Sequence, residues 1–217
     1  MTPFSTTTGL AQHPRGHVFL CRHGRTALNA DGRLRGRLDP PLDEVGESEA
    51  EALAGELWDR RIVKILASPL LRALQTGAAV AQVAEVPVIA VDDLLDRDYG
   101  AWAGALESDV VAAYGSVDDA PGVEPRSAVA ARAVALLESQ WPALAHGDVV
   151  LVAHDAVNQA LLAHLDHGLS RVRQRTGCWN EIRPVRGGWE VVRFDRVPDG
   201  DRWDTTASSA DDEEDDA

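Results

Sequence analysis

Asp148-Val149-Val150-Leu151-Val152-Ala153-His154-Asp155 is the stretch on which the fold turns. Its apolar run is too short for a core helix and rich in β-branched residues, so it reads as a strand buried on both faces. A second run, His17-Val18-Phe19-Leu20-Cys21, reads the same way and ends at Arg22-His23-Gly24. Each of these strands therefore delivers a histidine to its carboxyl end. Ile62 to Ala67 and Val86 to Val91 read as further strands.

Helical patterns fall between them. Asp43 is placed to cap a helix with apolar positions at Ala50, Leu53, Ala54, Leu57 and Trp58. Ser68-Pro69 reads as an N-cap and first-turn proline opening a helix to about Val83. Ala105 to Tyr114 reads as a short helix. Ser127 reads as the cap of a longer one reaching about Ala145, with Pro142 as a late kink or break, and a further helix follows His154 to about Leu165. Asn180–Val185 and Trp189–Phe194 flank Arg186-Gly187-Gly188 as a hairpin. Strands alternating with helices predict an α/β protein, a three-layer α/β/α sandwich on a mainly parallel central sheet. Ligands in such folds bind beyond the carboxyl ends of the strands, where Arg22, His23 and His154 lie.

The chain has 217 residues, 45% of them hydrophobic, enough for one sizeable core. Residues 17–198 read as one domain. Residues 1–16, Ser/Thr-rich and without a signal-peptide pattern, read as a disordered segment. The formal charge of -14 is uneven: nine acids and one arginine from Asp199 to Ala217 carry -8, leaving -6 for the rest. That acidic tail reads as disordered, and the acidic body argues against nucleic acid as a partner. No run is long enough to span a bilayer, so no membrane partner is expected. Two cysteines, Cys21 and Cys178, are too few for a disulfide scaffold and point to a reducing, cytoplasmic setting. Oligomeric state is not legible.

A neutral histidine is nucleophilic and can carry a phosphoryl group. Arg22 beside His23 offers a planar fork of donors for phosphate oxygens. Arg25 and Asn29 follow at spacings that reach the same pocket. Arg72 lies in the first turns of the helix after Ser68-Pro69, where backbone N–H groups also favour anions. His164 and His167 are spaced like a weak metal pair, but a solvated helix end accounts for them better. Trp102 reads as a pocket wall or as loop packing.

Several motifs in order extend this picture: Arg22-His23-Gly24-Arg25-Thr26 with Asn29; Gly36, Asp39, Leu42 and Gly46; Ser68-Pro69-Leu70-Leu71-Arg72-Ala73-Leu74-Gln75-Thr76; Asp98-Tyr99-Gly100-Ala101-Trp102-Ala103-Gly104; and Val152-Ala153-His154. The set resembles the histidine phosphatase superfamily, the phosphoglycerate mutase-like family, mostly its first branch. That resemblance implies a phosphoglycerate mutase-like fold and a phosphatase acting on a small phosphorylated substrate, with no cofactor and no metal. It implies His23 as the nucleophile. Arg22, Arg72 and His154 would clamp the phosphoryl oxygens, and Asn29 would add a hydrogen bond.

Two departures bear on the general acid. A glutamate usually stands four residues before the glycine of the Gly-x-Trp segment; here it is Asp96, one methylene shorter. The usual glutamate before the last glycine of that segment is Ala103. His154 is followed by Asp155, a His-Asp pair like that of the acid phosphatase and phytase branch, with Asn158 completing a His-Asp-x-x-Asn spacing. Asp96 and Asp155 therefore compete for the role of acid and base. Their alternatives are a solvated loop residue and a helix N-cap. Besides phosphomonoester hydrolysis, two readings stay open at this point: mutase-type transfer to an organic acceptor, and a weakened phosphate-binding or regulatory protein. Arg33, Arg35 and Arg37 either favour a second anionic group on the substrate or form a solvated loop.

Overall fold

A computed structural model describes residues 14–198. The expected acidic tail lies outside the described residues, as does the N-terminal segment up to residue 13. Gly16 already belongs to the folded body, its N–H donating to Leu144 O at 3.0 Å.

The strands are β1 (Val18–Arg22), β2 (Ile62–Ala67), β3 (Val88–Ala90), β4 (Asp148–Ala153), β5 (Trp179–Val185) and β6 (Gly188–Arg196). The helices are α1 (Ala27–Ala30), α2 (Glu44–Glu56), α3 (Leu71–Ala84), α4 (Glu107–Tyr114), α5 (Arg126–Ser139) and α6 (Asp155–Leu165), with short 3-10 turns between. One sheet runs in the order β3-β2-β4-β1-β5-β6. Its first four strands are mutually parallel; β5 adds antiparallel to β1 and β6 antiparallel to β5, as the expected hairpin.

The period-2 alternation of the strands builds two cores. Val18, Leu20, Val149, Leu151 and Ala153 face α5 and α6, packing on Val129, Leu137, Leu161 and Leu162. Phe19, Cys21, Val150 and Val152 face the other way, onto Leu53 and Ala54 of α2 and Ala73 and Val80 of α3. Because both faces are covered, every residue of β1 is buried and the strand reads as an unbroken apolar run. Truncating a fully buried leucine here, such as Leu151 or Leu53, should cost about 2–5 kcal/mol. A third, smaller cluster of Leu34, Tyr99, Val110 and Ala120 sits between the loop after β1 and the segment around α4.

The helix caps correct the sequence reading in two places. The helix carrying Arg72 begins at Leu71, not at Ser68-Pro69, and Leu70, its N-cap residue, makes no side-chain cap bond. Instead Asp39 reaches in from the loop after β1 and accepts from Leu71 N at 2.6 Å. Likewise α5 starts at Arg126 after Pro125, so Ser127 lies inside it; it ends at Ser139, short of Ala145, with Pro142 acting as a break rather than a kink. Asp43 does cap α2, accepting from Gly46 N at 2.9 Å.

Candidate active site

The pairing of β1 with β4 brings the two strand-end histidines together. Arg22 stands opposite Ala153 in register, and His23 N donates to Ala153 O at 3.1 Å. The next residues along each strand, His23 and His154, then face one another with ring centroids 5.1 Å apart. Both are fully buried. The turn after His23 is held by close approach: a Cβ on Gly24 would run into Gly46 O at the start of α2. Gly24 N also donates to Thr76 Oγ1 of α3 at 3.0 Å.

Hydrogen bonds fix the state of His23. Its Nε2 lies 3.2 Å from Arg72 Nε, a group that can only donate, so Nε2 presents its lone pair. The proton then belongs to Nδ1, which donates to Gly24 O at 2.6 Å. Burial, followed by the charges of Arg72, Arg22 and Arg35, holds the imidazole well below its usual range. His23 is thus neutral, with Nε2 free of a proton, the form a nucleophile needs. His154 is also held well below the usual range, by burial and then by Arg72. Its two ring nitrogens are buried and have no hydrogen-bond partner among the described residues.

Arg72 is fully buried and heavily used. Besides His23 it donates to Leu38 O at 2.7 Å, Gly36 O at 2.9 Å and Asp96 Oδ2 at 3.1 Å. Arg22 donates through Nη1 to Gln174 O, while its Nε is buried without a partner. Gln174 is itself fixed by Asn180 and Asn158, so a buried carboxamide cluster positions Arg22 from behind. Nothing in the sequence pattern flags Gln174 or Asn180. Glu49, also not anticipated, accepts from Arg25 N and Thr176 Oγ1, both at 2.7 Å, and ties two loops beside the site. Burial raises its carboxyl above the ordinary value.

The two candidate acids differ sharply. Asp96 is buried, not a solvated loop residue; its Oδ2 is 3.9 Å from His154 Nδ1 as well as bonded to Arg72. Burial raises its pKa above the ordinary carboxylate value, although Arg72 and Arg35 pull the other way. A raised value keeps the proton on Asp96 to higher pH, which suits a donor. Asp155 is the first residue of α6 rather than its cap, is partly exposed, and accepts from Gln159 Nε2 at 2.7 Å.

Other anticipated residues lie differently. Asn29 spends its Oδ1 on Thr26, closing a capping box on α1. Its amide makes no hydrogen bond among the described residues. Arg25 turns away from the pocket to pair with Asp43 at 2.9 Å. Trp102 donates to Pro121 O and packs edge-on against Tyr114, the packing reading of that residue. Of the loop arginines only Arg35 turns inward, as its charge is felt at His23, His154 and Asp96. Among the described residues no group of three or more His, Cys, Asp or Glu is arranged to hold a metal, and no helix is long and apolar enough to cross a membrane.

Comparison with known proteins identifies relatives of this chain. The model of the histidine phosphatase superfamily (branch 1) matches residues 18–196. The uncharacterized phosphatase PhoE of Bacillus subtilis is 28% identical over 180 residues, covering 82% of this chain and 93% of its own. A glucosyl-3-phosphoglycerate phosphatase of Mycolicibacterium vanbaalenii is 35% identical over 164 residues, covering 68% and 73% respectively. Among solved structures, a mycobacterial glucosyl-3-phosphoglycerate phosphatase in complex with VO3 superposes with a TM-score of 0.73 at 25% identity, covering 84% of this chain and all of that one.

Proposed function

Because this chain belongs to the histidine phosphatase superfamily, branch 1, and is a phosphatase, we propose that it hydrolyses a small phosphomonoester through a phosphohistidine on His23. The observation that carries this reading is the fixed tautomer of His23, with Nε2 unprotonated in a pocket of guanidinium groups.

In this account the phosphoryl group enters between His23 and His154. Arg22 Nε and one ring N–H of His154, a ring without a hydrogen-bond partner, are the open donors that meet its oxygens. Nε2 of His23 attacks phosphorus in line, the P–O bond to the leaving group breaks, and Asp96 gives its proton to the departing oxygen. Arg72, released from Nε2 as that atom bonds to phosphorus, turns its Nε–H to a phosphoryl oxygen. Water then attacks the phosphohistidine. Asp96 takes up the proton, the P–N bond breaks, and inorganic phosphate leaves with His23 restored. Positioning and charge stabilisation supply the rate, as phosphoryl transfer requires. The substrate of the Mycolicibacterium relative, a sugar linked to phosphoglycerate, makes a small phosphorylated metabolite the natural class to test.

Turnover of p-nitrophenyl phosphate by the full chain and by His23→Ala tests the proposal. The wild type should turn over and the variant should lose at least about a thousandfold in kcat. Equal turnover would sink it.

A further inference from the structure

Asp96 stands in a stretch with no regular backbone ladder. A 3-10 turn over Asp92–Leu94 precedes it, another over Gly100–Trp102 follows, and residues 95–99 belong to neither helix nor strand. The backbone groups of a buried stretch of this kind must pair elsewhere. Here they pair with two residues that no motif singles out, Glu124 and Arg132, whose side chains are only 16% and 17% exposed.

Arg132, on α5, uses its whole guanidinium. Nη1 donates to Asp93 O at 2.8 Å and Nη2 to Asp96 O at 3.4 Å. Its Nε and Nη2 also face Glu124 Oε1 and Oε2 at 3.3 and 3.4 Å, a fork that fixes the plane of the group. Glu124 in turn grips the residues after Asp96. Its Oε2 accepts from Asp98 N at 3.0 Å, its N–H donates to Asp98 O at 2.8 Å, and its carbonyl accepts from Arg97 Nε at 2.6 Å. The buried Arg97 also donates to Asp118 at 2.5 Å. The pair thus holds the chain at Asp93, Asp96, Arg97 and Asp98.

This frame reaches the carboxyl group itself. Asp96 Oδ1 accepts from Arg97 N at 2.9 Å, and Oδ2 accepts from Arg72 at 3.1 Å. The first oxygen is therefore anchored by the framed loop, the second by the arginine that also bonds His23. An aspartate has one side-chain torsion fewer than a glutamate. The backbone at Asp96 consequently decides where its carboxyl group stands. Misplacing a reacting group by about 1 Å can cost roughly 10²-fold in rate.

We propose that Glu124 and Arg132 are positioning residues for the proton donor: through the loop backbone they set the place of the Asp96 carboxyl group, and so the reach of its proton to the leaving oxygen. The inference rests on the reading of Asp96 as the acid in the reaction proposed above.

The test varies the leaving group. Phenyl phosphate and p-nitrophenyl phosphate share a ring frame but differ in the basicity of the leaving oxygen, and the more basic one depends more on a proton donor. Arg132→Met keeps the apolar stem and removes the donors. In the full-length protein it should lower kcat/KM for phenyl phosphate, relative to p-nitrophenyl phosphate, by about tenfold or more. In an Asp96→Asn background the same change should leave the ratio of the two substrates where Asp96→Asn alone puts it, because the positioned group is gone. An equal loss on both substrates, the mark of a general structural role, would overturn the inference. So would a shift of the ratio that persists in the Asp96→Asn background. If Arg132→Met does not fold, Glu124→Gln takes its place: it breaks the ion pair at constant size and should shift the ratio in the same direction, and an unchanged ratio would count against the proposal. Failure of the underlying reading appears separately, as an Asp96→Asn protein with the wild-type ratio or a wild type that does not turn over p-nitrophenyl phosphate; either removes the acid that the two residues would position.

Discussion

His23 and His154 are both fully buried at the ends of adjacent parallel strands, but among the described residues the first has hydrogen-bond partners on both ring nitrogens and the second on neither. A group that must attack needs its lone pair aimed, and Gly24 O and Arg72 do that for His23. A group that must answer charge appearing on a ligand is better left open, and that is the state of His154. A buried nitrogen without a partner costs about 1–3 kcal/mol. The fold carries that cost where a phosphoryl oxygen would relieve it.

Asp96 touches both halves of this contrast, through Arg72 and through its approach to His154, so after His23 itself changing it should have the largest effect. Asp96→Asn should lower kcat by roughly 10²–10⁴ on substrates with poor leaving groups. The sign with pH follows from its raised pKa. In the proposed reaction protonated Asp96 is the active form, so kcat/KM of the wild type should fall as pH rises through a value above the ordinary carboxylate range. The variant should lose that limb, and a limb that persists in Asp96→Asn assigns the proton to another group.

His154→Ala sharpens the comparison next. Removing an open donor should cost about 10²–10³ in kcat while leaving His23 able to react. A loss as complete as that of His23→Ala would mean that the two histidines are not distinct in role. The smallest effect belongs to Asp155→Asn, whose recorded bond is a partly exposed one to Gln159. It should change kcat by no more than about tenfold, one ordinary hydrogen bond. A larger drop than that of Asp96→Asn would reverse the assignment of acid.

What was legible in the sequence was set by contacts close along the chain. The bounds of β4 match its apolar run, because burial on both faces demands apolar residues throughout. The capping of α2 by Asp43 was equally local. The start of α3 was not, since its cap comes from Asp39, thirty-two residues earlier. Arg22, His23, Arg72 and His154 could be picked out by their motifs, whereas the choice between Asp96 and Asp155 could not be made from spacing. Arg25 and Arg33 to Arg37 could not be sorted by spacing, because their fates are set by Asp43, Gly104 and Asp98. The carboxamides that hold Arg22 were silent for the same reason: Gln174 matters through a contact made 152 residues away.

The stereochemistry of transfer tests the central claim most directly. A phosphomonoester made chiral at phosphorus with oxygen isotopes would be hydrolysed in isotopically distinct water by the wild-type protein. Passage through a phosphohistidine requires two in-line displacements, so the inorganic phosphate should show overall retention of configuration. Inversion would mean that water attacks the substrate directly, and would contradict the role given to His23.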